Sequence, residues 1–229
     1  MKSIKISIFL FVTIAINAQT TSDIRKNTYF PNFKKGIVLH ATGTMGFMHS
    51  KGINDYLYDQ AIIMGADEEE KISALPMRNV TLGIEPGYRW ERFEINFPLE
   101  IGQASKSDNI DDRSRPSALN SSIKINTTTI GVGLKVHQNL CKEGKTTLYE
   151  GLEIRRRNNK FSSEYKKKGI EYKLIVGVAF NNQAFNVRPH VAFGYAPLEV
   201  YQPALQKDYN YSAILFNFGI NIGFCAGRL

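Results

Sequence analysis

The stretch Ser212 to Cys225 reads S-A-I-L-F-N-F-G-I-N-I-G-F-C and separates into two faces when every second residue is taken. Ile214, Phe216, Phe218, Ile220, Ile222 and Phe224 form one face, and Leu215, Asn217, Gly219, Asn221 and Gly223 the other. Side chains alternate across a strand, so a period of two predicts a strand with one greasy face and one small, mostly polar face. Ile214 to Phe224 is 11 residues, and a tilted strand crossing a bilayer needs about 9–11. The expectation is a chain built of copies of this element, closed into a membrane barrel.

The N-terminus carries a different signal. Lys2 and Lys5 precede the apolar run Ile6 to Ile16, and Asn17-Ala18-Gln19 follows. A charged start, a short apolar run and a small residue predict a secretory signal peptide over residues 1–18, too short to span a membrane as a helix. The first cysteine is Cys141, which argues against a lipoprotein anchor after the cleavage point. Lys2 and Lys5 supply two of the formal charges in a net +8, leaving +6 for the mature chain. No later run of 18 apolar residues exists, so any membrane attachment must use strands or a surface. Cys141 and Cys225 are too few for a disulfide scaffold, and the sequence leaves open whether they pair.

Taken in order, residues 19–35 read as a polar tether and residues 36–229 as the barrel. Strands are predicted at about 36–49, 75–85, 92–102, up to 136, 146–155, 170–180, 184–195 and 214–224. Pro86-Gly87 is expected to turn the chain after the second strand. Glu150 falls on the apolar face of the fifth, which suggests a bulge or another register. Pro189 argues for a bulge in the seventh. His137 to Lys145 read as a turn. The odd connections, roughly 50–74, 103–121, 156–169 and 196–211, are long, and the even ones are shorter. An all-β, eight-stranded antiparallel up-and-down transmembrane β-barrel has this asymmetry, with short periplasmic turns and long external loops.

On this pattern the chain resembles the small eight-stranded outer-membrane barrels of Gram-negative bacteria, the OmpX and OmpA transmembrane-domain type, and the broader outer membrane protein beta-barrel group. The resemblance implies location in the outer membrane and contact with outer-membrane lipid and lipopolysaccharide. It rests on pattern along the whole mature chain. One departure is that Phe224 is followed by Cys225-Ala226-Gly227-Arg228-Leu229, where such barrels usually finish on an aromatic residue.

A soluble lipocalin-like ligand-binding barrel also alternates, with its apolar face inward. Lipid outside is favoured here because the second face carries Gly131, Gly133, Gly177, Gly194, Gly219 and Gly223 where a wetted exterior would carry charge. Aromatic residues near strand ends (Phe47, Tyr88, Trp90, Phe93, Phe180, Phe185, Tyr195, Phe224) suit interfacial girdles.

Two groups of residues stand out as candidate sites. Glu94, Glu100, Lys135, Lys173 and Arg188 fall on the inferred lumen face, where buried charge must be paired or wetted. They are expected to form an ion-pair network, since eight strands leave an interior about wide enough for side chains to fill. Arg155, Arg156, Arg157, Lys160, Lys166, Lys167 and Lys168 lie in or beside the third long connection and form a candidate anionic-partner loop. Asp67 to Glu70 reads as a solvated acidic run. His40 and His190 could face the lumen, with no metal spacing and no nucleophile context, and Gly131-Val-Gly133 lacks a dinucleotide setting. No cofactor, metal or nucleic-acid partner is expected, and no enzymatic activity. The expected function is a barrel with a filled lumen presenting external loops for surface structure or for binding a protein partner. The alternative is a transport or secretion-machinery component.

Overall fold

The computed structural model describes residues 35–63, 76–110, 119–140, 146–161, 166–182, 185–202 and 206–226. The predicted signal peptide, the tether up to residue 34, the acidic run Asp67 to Glu70 and Cys141 lie outside them. The elements in order are β1 (Gly36–His49), α1 (Lys51–Ile63), β2 (Met77–Trp90), β3 (Phe93–Asn96), β4 (Leu99–Ile110), β5 (Leu119–Asn139), β6 (Thr146–Phe161), β7 (Lys166–Asn182), β8 (Phe185–Ala196), β9 (Glu199–Gln202), β10 (Lys207–Asn210) and β11 (Ala213–Ala226).

The pairings close a ring. Neighbouring strands of the ring run antiparallel, and β11 pairs with β8 on one side and returns to β1 on the other, pairing Ile37 with Ala226 through His49 with Ile214. β3 and β4 are one strand in two pieces. Gly87 faces Asn96 and Ile84 faces Leu99 in a single register, and the gap falls where Pro98 lacks an amide donor. The proline carbonyls still accept, Pro86 from the Phe97 amide at 2.8 Å and Pro98 from the Gly131 amide at 3.0 Å. Counted this way the ring is an eight-stranded antiparallel barrel, and a closed ring leaves no edge.

Several expectations are corrected. Pro86-Gly87 does not turn the chain, because β2 runs on to Trp90 with Leu39 opposite Pro86. The turn is at Glu91, whose φ of 56° supplies the left-handed residue that a tight hairpin requires. Pro189 makes no bulge. The β7–β8 register is the same on both sides of it, with Gly177 opposite His190 and Phe180 opposite Val187. Glu150 sits in unbroken β6 register opposite Val136 and points outward, half-buried, near the periplasmic rim. His137 belongs to β5 and faces inward, not to a turn. The second and third connections are much shorter than expected. β4 and β5 stay paired to Ile110 and Leu119, and β6 and β7 to Lys160 and Lys166.

The first connection contains a helix that the sequence does not announce. α1 has no acid in its first turn and no base in its last, so the charge signals of helix ends are missing. Its inner side carries Ile53 and Leu57, both fully buried, with Tyr56 beside them, the spacing of one helical face. Gly52 is required because a Cβ there would meet the Asn210 carbonyl. Together α1 and the β9–β10 hairpin join Met48, Met77, Ile125, Phe161, Tyr211 and Leu215 in an apolar cluster at the external end. Among the described residues a second, small apolar cluster joins Tyr149, Ile175, Ala179 and Ala192.

Candidate functional site

The exterior is inverted relative to a soluble protein. Met45, Leu82, Ile101, Val132, Ile154, Phe193 and Phe218 are among the large apolar side chains left exposed, with Phe218 50% and Ile101 65% accessible. Such side chains cover every strand of the ring, far beyond the few hundred Å² that soluble monomers expose. Tyr88, Trp90 and Phe93 stack in a row at the periplasmic rim, at 6.5 and 5.9 Å between ring centres, the position of an interfacial girdle. This is a transmembrane barrel of the outer-membrane type. The soluble lipocalin-like alternative is overturned, because its apolar face would point inward. No described helix is long and apolar enough to cross a membrane.

Inside, the small face acquires its meaning. A Cβ on Gly131 would lie 2.6 Å from the Arg155 side chain, one on Gly133 2.6 Å from Glu153, and one on Gly177 2.7 Å from the Tyr149 ring. The glycines make room for long charged and aromatic side chains lying across from the next strand.

Glu94, Glu100, Lys135, Lys173 and Arg188 all point inward and are buried. Near the periplasmic end, Arg188 Nη1 donates to both Glu94 oxygens at 2.8 and 3.0 Å, and His137 Nε2 donates to Glu94 Oε2 at 3.2 Å. In the middle, Lys135 bonds Glu85 and lies 3.9 Å from Glu153. Arg155 clamps Glu100 with two donors at 2.6 and 3.0 Å and also donates to Glu153, while Lys173 stands 4.0 Å from Glu100. Higher up, Arg157 pairs with Glu171 at 3.4 Å. Each carboxylate therefore faces a cation within the same low-dielectric interior, the condition for holding charge there.

The basic segment is redistributed by the length of β6. Arg155 and Arg157, expected in a loop, are buried inside the barrel. Arg156 and Lys160 alternate with them and face outward, exposed, as do Lys166 and Lys168 on β7. Lys167 is exposed, and its carbonyl accepts from Asn159 Nδ2 at 3.3 Å. Only 162–165 now separate the two strands, so the feature is a strand face and not a loop. Glu85, Glu153, Glu171, His137 and Tyr149 join the interior without having been singled out from sequence as lumen residues, and Arg155 and Arg157 join it from the segment read as a basic loop. The signal was present in Gly151, Glu153, Arg155, Arg157 and Asn159, which alternate with Leu152, Ile154, Arg156, Asn158 and Lys160.

His40, Glu85 and Glu94 bring one donor atom each within 4.8 Å of one another. Lys135 and Arg188 already neutralise the two carboxylates, which disfavours a bound cation. His40 Nε2 lies 2.8 Å from Asn186 Oδ1, and His190 Nδ1 3.3 Å from the Arg188 carbonyl. Outside the membrane, Asp59 on α1 bonds Tyr209 and accepts from Lys207 at 2.7 Å. Burial opposes ionisation of Asp59, but these donors prevail and lower its pKa. Burial and the bond to Asp59 raise that of Tyr209.

No protein-family model and no curated protein matches the chain. Among solved structures, neisserial surface protein A is 11% identical, covering 82% of this chain and 96% of its own, with a TM-score of 0.48. Ail, the attachment invasion locus protein of Yersinia pestis, is 12% identical over 83% and 98%, with a TM-score of 0.41. OmpT, an outer membrane protein of Vibrio cholerae, is 14% identical over 82% and 52%, with a TM-score of 0.28.

Proposed function

We propose that the protein is a sealed outer-membrane barrel, neither a channel nor an enzyme, which acts through its external surface. The observation that carries this reading is the Arg155 cluster. Its bonds to Glu100 on β4 and to Glu153 on its own strand, with Lys135 and Lys173 beside them, tie β4, β5, β6 and β7 together across the lumen. Two spaces, one beside this cluster and one at the external end, are small. One, between Thr44, Glu100, Thr129, Arg155 and Lys173, measures about 10 Å³, and another, under Ile53 and Leu198, about 20 Å³. Either is of the order of a single water, which supports a lumen without a continuous water column. Above it α1 and the β9–β10 hairpin lie over the apolar cluster. The bonds of His40 to Asn186 and of His190 to the Arg188 carbonyl suit structural histidines. What remains available to a partner is the outside, where the charge is asymmetric and basic on β6 and β7.

Efflux from lipid vesicles tests the reading. Vesicles carrying the refolded full chain and loaded with a small sugar should leak at the rate of protein-free vesicles. Rapid, protein-dependent efflux would reject the sealed barrel in favour of a transport component.

A further inference from the structure

We propose that the outward face of β6 and β7, where the apolar belt ends, binds a phosphorylated glycolipid of the outer leaflet. The inference deepens the surface-acting part of the reading above and rests on the barrel being in the outer membrane, but it does not depend on a sealed lumen.

The register orders the outward side chains by height. Val132, Ile154 and Tyr172 share one row. The next rows towards the external end are Ile130, Arg156 and Ile170; then Thr128, Asn158 and Lys168; then Asn126, Lys160 and Lys166. Each step is two residues, about 7 Å along the strand. Greasy surface thus gives way to cations over the depth at which a lipid changes from acyl chain to headgroup. Ile154 and Ile170 are 55% and 48% exposed, and with Arg156, Lys168 and Gly169 they line an open groove of about 460 Å³ on the exterior.

The cations are placed in a way that folding alone does not favour. Lys160 stands directly opposite Lys166, and Arg156 is diagonal to Lys168. Directly opposed like charges destabilise a strand pair. Along Ser122–Ile130, Ile154–Lys160 and Lys166–Tyr172 no outward residue is acidic. Among the described residues no carboxylate pairs with Arg156, Lys160, Lys166 or Lys168. An anion seated between each pair removes the repulsion and gains charge-assisted hydrogen bonds. Two such pairs, one above the other over an apolar groove, fit an amphiphile with acyl chains below and at least two phosphates above. A soluble polyanion would use the cations and leave Ile154 and Ile170 unused.

The test is native mass spectrometry of the refolded full chain in detergent, titrated with bisphosphorylated lipid A, with the same lipid stripped of phosphate, and with phosphatidylglycerol. The expected result is retention of bisphosphorylated lipid A in preference to both others. Arg156→Gln with Lys168→Gln, or Lys160→Gln with Lys166→Gln, should weaken it about tenfold or more, as loss of two surface cations implies. Arg78→Gln, an exposed base on β2, should change it less than twofold. Equal retention of the dephosphorylated lipid or of phosphatidylglycerol would overturn the proposal, as would unchanged binding by both double variants. Displacement of lipid A by a soluble sulfated polysaccharide at equal phosphate and sulfate concentration would also overturn it. The wild-type comparison stands whether or not the variants fold, and sugar efflux from vesicles reports on the lumen separately.

Discussion

Arg155 on β6 reaches past β5 to Glu100 on β4, 55 positions earlier, with Nη1 2.6 Å from Oε2 and Nη2 3.0 Å from Oε1. Both side chains are nearly fully buried. Removing one partner of a buried pair leaves the other charged and uncompensated, at a cost of about 3–5 kcal/mol. Arg155→Met should lose that much in urea unfolding from lipid vesicles. Combining it with Glu100→Gln and Glu153→Gln should restore part of the loss, because the stranded carboxylates are then gone. A triple variant less stable than Arg155→Met would show that the cluster is not a mutually neutralising unit.

Phe218 and Asn217 are adjacent in β11 and face opposite ways, 50% and 4% exposed. Phe218→Arg places a cation against hydrocarbon and should cost about 2–4 kcal/mol. Asn217→Ala removes an acceptor for Asn79 Nδ2 at 3.2 Å and should cost about 1 kcal/mol. The same unfolding assay ranks them, and the reverse order would mean that the barrel is inside out.

β11 shows how much of this fold is legible in its residues. Its alternation has no competing signal, and β1 likewise runs over the predicted 36–49. Legibility failed where charge or proline looked like punctuation. Arg155-Arg156-Arg157 resembles a solvated loop, yet a polar lumen accepts every second charge and the membrane edge accepts the rest. Pro86 resembles a strand end and Pro189 a bulge, but here each loses a donor and keeps its register. α1 was invisible because its buried apolar residues, Ile53 and Leu57, matter only once the barrel mouth beneath them exists. Within the lumen, Glu94, Glu100, Lys135, Lys173 and Arg188 were readable from parity alone. Their partners Glu85 and Glu153 were not, because pairing depends on which strands the closed ring brings together.

Asp59 links α1 to the β9–β10 hairpin through Lys207 and Tyr209. Its folded-state pKa lies below the ordinary value near 3.8, so its stabilisation is present above that value and is lost as pH falls through the lowered one. Amide exchange in α1 should therefore quicken as pH drops below about 4, after correction for the intrinsic rate. Asp59→Asn should remove that acid response while costing less than about 1 kcal/mol near neutrality, since the pair is partly solvated. An unchanged acid response in the variant would assign the loosening to another group.

Single-channel recording in planar bilayers tests the sealed lumen most directly. The wild-type barrel should insert without discrete openings. A variant with Glu100, Glu153 and Arg155 all replaced by Ser, which removes the side chains spanning the mid-lumen, should open small conducting steps, provided it still shows the heat-dependent gel shift of a folded barrel. Stable, ion-selective openings from the wild type would contradict the account.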